Sequence, residues 1–192
     1  MTDTMYLVLD MTNEFIHPEG KVGNGPLGVQ VKERKIIGNT KVAIAKARAV
    51  GAKIGYVRVG FSPDYREARP AFEGPDMRVQ NQMLQLGTWG CAVHDELKPE
   101  PQDFDIVKHR ISAFYATPLE AILSANGIRK LYFSGVSSVA VVNASVRDAY
   151  DRDFICTVIE DCCAAPTPEE QDAAMLVLRR FARIVTADAV QF

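Results

Sequence analysis

Short apolar runs alternate with longer amphipathic stretches along the chain, and this rhythm restricts the fold more than any other feature of the sequence. Residues 5–9 (MYLVL) carry no charge, as a strand covered on both faces requires. Between Val31 and Val50, the apolar residues Ile36, Ile37, Val42, Ile44 and Ala47 recur among lysines and arginines. That spacing predicts one amphipathic helix, closed by Gly51 in a left-handed cap. Residues 53–60 (KIGYVRVG) read as a second strand on their β-branched content. Further strands are predicted over 105–107, 130–134, 154–159 and 183–186. Helices fall between them over 118–126, capped by Thr117 with Pro118 at the first position, and over 138–151. A last helix opens at Pro168, with Thr167 as cap and Glu170 in the capping-box position. From Phe61 to Glu100 the rhythm dissolves into Pro, Gly and charged residues, with a short helix around Met77 to Leu86. Long irregular segments in compact domains tend to serve function.

Strands alternating with helices predict a single α/β domain over residues 1–192, doubly wound and Rossmann-like. Its sheet should be mostly parallel, of about six strands, with helices on both faces. A length of 192 residues suits one such core. The net charge of −2 gives no pull toward nucleic acid or an anionic membrane surface. No stretch approaches the ~18 apolar residues of a membrane span. The opening MTDTMYLVLDMTNEF lacks the basic and apolar regions of a signal peptide, so a cytoplasmic location is expected. Cys91, Cys156, Cys162 and Cys163 show no zinc spacing and read as free thiols.

In such sheets ligands bind beyond the carboxyl ends of the strands. Asp10 ends the first strand, Arg58 lies near the end of the second and Lys108 ends the third. Gly135-Val136-Ser137-Ser138 forms the turn leaving the fourth, so all four should converge on one edge. Burial raises a carboxylate's pKa and a neighbouring lysine lowers it, so Asp10 can serve as general acid or base. The same residues could instead cap a turn and tie the sheet end together. The turn's N–H groups could bind an oxyanion, or Ser137 or Ser138 could simply cap the helix. No GxGxxG or phosphate loop follows a strand, so no nucleotide cofactor is expected.

The segments VLDMTNEF (8–15), VKHRISAFYATPLEAIL (107–123), SGVSSVAVVNASVRDAYDRDF (134–154) and VIEDCCAAPTPEEQDAAM (158–175) resemble the isochorismatase-like hydrolase superfamily, in its order and spacing. That superfamily includes nicotinamidases, N-carbamoylsarcosine and related amidohydrolases, and isochorismatases. The resemblance makes Asp10 the family's acid and Lys108 its catalytic lysine. It places Val136-Ser137 where the family often has a non-proline cis peptide. In the amidase branch a cysteine follows the turn's glycine by six residues; here that position is Val141, and Arg147-Asp148-Ala149 stays in register. Valine cannot be a nucleophile, which closes the thiolate route and implies a member without the catalytic cysteine. Metal-binding relatives place an Asp and two His after the second strand. This chain has no histidine there, and His17, His94 and His109 are scattered, so no metal is expected. Thr12 replaces the glutamine of the DxQNxF signature.

What the resemblance leaves is chemistry needing only a proton donor. Isochorismatases lack the cysteine, and an aspartic acid protonates the enol carbon of a vinyl ether before water captures the cation. Asp10 would be that acid, helped by the apolar Val141. The substrate would be a small anionic metabolite, with isochorismate the named candidate. Arg58, and less directly Arg66 or Arg69, would hold its carboxylates, unless they are solvated surface residues. Phe15, Trp89 and Phe114 would wall the pocket, unless they belong to the core, and Val136, Ser137 and Val141 would line it. Two alternatives stand beside this reading. One is an amidase activating water with Asp10 as base; the other is a non-catalytic binding or assembly relative, against which the retained Asp10 and Lys108 speak. The resemblance also implies a homo-oligomer, dimer or tetramer; the 61–100 loop and the apolar face of the 138–151 helix are our own expectation for its interface.

Overall fold

In the computed structural model, which describes residues 2–192, the strands are β1 (Thr4–Leu9), β2 (Lys53–Val59), β3 (Phe104–Lys108), β4 (Lys130–Val136), β5 (Ile155–Ala164) and β6 (Arg183–Val185). They form one parallel sheet in the order β3-β2-β1-β4-β5-β6. The chain starts at the centre, winds to one edge, then crosses back and winds to the other. The direction reverses between β1 and β4, where Leu9 pairs with Gly135. Such a switch point leaves a crevice beyond the strand ends.

The helices are α1 (Asn13–Ile16), α2 (Pro26–Glu33), α3 (Ile36–Ala49), α4 (Met77–Gln80), α5 (Leu119–Ala125), α6 (Asn143–Tyr150) and α7 (Pro168–Leu178). Strand side chains alternate between faces, so the uncharged β1 feeds two cores. Tyr6 and Val8 join Ile36, Ala43 and Ala47 of α3 on one side. Met5, Leu7 and Leu9 join Leu119 of α5, Val146 of α6 and Leu178 of α7 on the other. This is the doubly wound α/β architecture the alternation predicts. No helix of the described residues is long and apolar enough to cross a membrane.

Several boundaries differ from the sequence reading. The single helix expected over 31–50 is two, because Lys35 takes a left-handed φ of 55° between α2 and α3. The break is held from outside: Asn39 donates to the Arg34 carbonyl at 3.1 Å, and the Arg34 guanidinium donates to the Glu160 and Cys163 carbonyls, each at 3.1 Å. Periodicity reads through such a break, since its cause lies on β5. The 138–151 helix begins as a π-helical turn, Ser138–Val142, before α6. The 77–86 helix is only α4. Residue 118 precedes α5 rather than opening it, although the Thr117 hydroxyl still accepts from the Leu119 N–H at 3.2 Å. At α7 the Thr167 hydroxyl accepts from the Glu170 N–H at 3.2 Å, as its spacing predicts.

Candidate active site

Asp10 follows the last residue of β1 and turns the chain with a φ of 52°, a conformation that costs about 1 kcal/mol or more outside glycine. Its N–H donates to the Val57 carbonyl at 2.7 Å. That anchor directs the carboxylate toward β2 and β3. One oxygen accepts from the Val59 N–H at 2.7 Å, and the other from Lys108 Nζ, at the end of β3, at 2.8 Å. Both side chains are 1% exposed, so the pair is almost wholly withdrawn from bulk solvent. Lys108 also donates to the Arg110 carbonyl at 3.1 Å, which leaves one of its three hydrogens for another acceptor. Burial lifts the Asp10 carboxyl above its ordinary value, against the opposing pull of Lys108 and the Val59 N–H. The result is a carboxyl able to take up or release a proton.

The turn after β4 lies beside it. Gly135 has a φ of 132°, and a Cβ there would fall 2.0 Å from the Leu9 carbonyl oxygen, so only glycine fits next to the end of β1. The Val136–Ser137 peptide is cis. The Ser137 carbonyl accepts the N–H groups of Ala140, Val141 and Val142 at 3.3, 3.0 and 3.2 Å. Those three are therefore engaged and not free for an oxyanion, which narrows the sequence expectation to Ser138 and Val139, the first residues of the turn. Neither serine caps with its hydroxyl: the buried Ser138 pairs with Gln171 Oε1 of α7 at 2.6 Å. Sequence reasoning missed Gln171. Its signal was a polar residue in phase with Ala174, Met175 and Leu178, the buried stripe of α7.

Other expected residues do not join the pair. Arg58 forms a bidentate bond with Asp105 of β3, both N–O distances 2.7 Å, and so is not free to hold a substrate carboxylate. Register explains it: Arg58 sits opposite Val107, and Asp105, two residues back, shares that face. Their cleft of about 580 Å³ includes Lys98 and Cys91 but neither Asp10 nor Lys108. Arg66 pairs with Asp64 at the exposed surface. Phe114 is core, packed near Phe154 and under the Arg152 guanidinium. Trp89 is half exposed and stands edge-on to His17, with centroids 4.9 Å apart. Phe15 is half-buried between the first core and the cluster of Phe61, Tyr65 and Leu84. Val136 is buried, and the half-buried Val141 packs on the second core.

The segment before the short 3-10 turn Asp95–Leu97 crosses directly over the residues after Asp10. The N–H groups of Asn13 and Glu14 donate to Ala92 and Gly90, and Asn13 Nδ2 donates to the Trp89 carbonyl at 2.9 Å. Beneath it, the Thr12 hydroxyl is buried with no partner among the described residues. All four cysteines are buried and unbridged. Burial pushes the thiols of Cys156 and Cys163 up to about 12, that of Cys162 further, and that of Cys91 upward despite the nearby Arg58. None lies in the turn after Gly135. Among the described residues, no group of three or more His, Cys, Asp or Glu side chains could hold a metal ion.

The profile of the Isochorismatase domain family matches residues 4–189. A ureidoacrylate amidohydrolase, RutB, of Methylorubrum extorquens is 34% identical over 191 residues, covering 93% of this chain and 77% of that protein. N-carbamoylsarcosine amidase from Thermoplasma acidophilum superposes with a TM-score of 0.78 at 29% identity, over 100% of each chain. An isochorismatase family protein from Desulfovibrio vulgaris shares the fold with a TM-score of 0.84 at 23% identity, over 98% of this chain and 96% of that one.

Proposed function

The chain belongs to the isochorismatase domain family and is a hydrolase, and from that premise we propose that it cleaves a C–N bond in small N-carbamoyl or amide compounds, with Asp10 moving the proton and no cysteine nucleophile. The carrying observation is the Asp10–Lys108 ion pair, at 2.8 Å and 1% exposure on both sides. Burying two charges is costly, and a hydrophobic pair would often serve stability as well. A strained, proton-exchanging carboxyl at the switch point of the sheet is what hydrolysis by activated water needs.

In this reading the Asp10 carboxylate takes a proton from water as the water oxygen attacks the carbonyl carbon. Lys108 balances the charge on Asp10, and its remaining N–H, with those of Ser138 and Val139, supports the oxyanion. On collapse the C–N bond breaks and the proton passes from Asp10 to the leaving nitrogen. Val141 stands where the amidase branch that the sequence resembles has its cysteine, and the four buried thiols have pKa values raised against thiolate formation. The names of the ureidoacrylate and N-carbamoylsarcosine enzymes share one group, a carbamoyl on nitrogen, and this supports the substrate class.

Ammonia release from ureidoacrylate and N-carbamoylsarcosine tests the proposal, in the wild type, in Asp10→Asn and after alkylation with N-ethylmaleimide. The expected result is release by the wild type, a fall of about 10²–10⁴-fold in Asp10→Asn, and no effect of alkylation. Full activity in Asp10→Asn removes the proton-transfer role, and loss on alkylation restores a thiol. A second reading, vinyl-ether cleavage with Asp10 as acid, draws on the upward shift that burial gives its carboxyl. The pH profile separates them. With Asp10 as base, kcat/KM rises as the group ionises, above the ordinary carboxylate range; with Asp10 as acid it falls there.

A further inference from the structure

A cavity of about 720 Å³ lies where α1, α2, the start of α3 and the 95–97 turn meet, and neither Asp10 nor Lys108 lines it. His17 and His94 do, with ring centroids 5.5 Å apart. Each ring accepts a backbone N–H two residues on through Nδ1, from Glu19 at 3.1 Å and from Glu96 at 3.3 Å. An accepting Nδ1 carries no proton, so each neutral ring holds its hydrogen on Nε2. Neither Nε2 has a partner among the described residues, and His94 is only 7% exposed. Both Nε2–H groups are thus left to donate to a molecule in the cavity that their rings line.

The cavity's charge points the same way. Lys32 and Lys35 line it, and neither has an acidic partner among the described residues. Glu96, the acid on its wall, is already paired with Lys41 at 2.9 Å. Lys35 holds the left-handed φ of 55° that separates α2 from α3, and strain of that kind clusters at ligand clamps. Ile16 and Ile37 supply apolar wall, and a Cβ on Gly38 would meet nothing within 4 Å. We propose that this cavity binds a small organic anion, a carboxylate or phosphate on an apolar body, whose charge Lys32 and Lys35 neutralise while His17 and His94 donate Nε2–H to its oxygens. The site uses residues separate from the hydrolytic pair and stands independently of the proposed reaction.

Trp89 is the single tryptophan of the chain and stands edge-on to His17, so its emission reports an anion arriving at that ring. The purified protein is titrated with phenyl phosphate and with benzoate, with benzamide as neutral control, by fluorescence and calorimetry. At least one anion should bind saturably and benzamide should not; which anion binds identifies the oxyanion. The double variant Lys32→Gln/Lys35→Gln should weaken binding by about tenfold or more, as loss of charge-assisted hydrogen bonds implies. Gly38→Leu should also weaken it by filling the cavity, while Asp10→Asn should bind as the wild type does. Failure of both anions to bind, binding unchanged in the lysine variant, or binding lost in Asp10→Asn alone would overturn the proposal.

Discussion

Replacing Lys108 by methionine keeps an unbranched stem and removes the ammonium 2.8 Å from Asp10. At that distance and an effective dielectric constant of about 20, the lost attraction is about 6 kcal/mol. The fold does not forfeit all of it, because Asp10 escapes by taking up a proton. Burial already lifts the carboxyl, and without Lys108 only the Val59 N–H opposes the rise. A group raised above its unfolded value contributes stability below the unfolded pKa, which is lost as pH climbs through the folded pKa. The variant's deficit should therefore be small near pH 4 and grow once wild-type Asp10 has ionised, by up to about 1.4 kcal/mol per pH unit. At neutral pH it should reach about 3–5 kcal/mol, the range for breaking a buried pair from one side. Urea unfolding followed by circular dichroism across this interval measures it. Adding Asp10→Asn to Lys108→Met should recover most of the loss, since no charge then remains buried. A deficit under about 1 kcal/mol at neutral pH, or one flat with pH, would refute the buried pair as the source of the effect.

Two further substitutions probe the turn after β4. Val141→Cys should add one thiol that iodoacetamide labels in the native protein near neutral pH, while the four native cysteines, buried and shifted upward, label only on unfolding; mass spectrometry of the labelled peptides decides it. Gly135→Ala should destabilise by about 3 kcal/mol or more, because its Cβ meets the Leu9 carbonyl oxygen at 2.0 Å and its φ is 132°; an unfolding midpoint close to the wild type's would contradict that packing.

The layered α/β plan, the charge-free central strand, the left-handed Gly51 and the Thr167 cap were all legible, because each depends on residues a few positions apart. The same local logic put Asp10 and Lys108 at strand ends, and parallel strands then brought the two ends to one edge. What the tertiary structure alone decided was which partner each side chain meets. Register across the sheet gave Arg58 to Asp105, and packing on the second core took Phe114 from any pocket wall. Carbonyls of β5, over 120 residues downstream in sequence, hold Arg34 beside the break that splits the predicted helix. Gln171 reaches back from α7 to Ser138, and the segment before the 95–97 turn lies across the residues after Asp10. Periodicity and propensity determine where an element forms and which face it buries. They carry no record of the strand register and helix docking that choose a side chain's partner, and those choices bury Asp10 against Lys108.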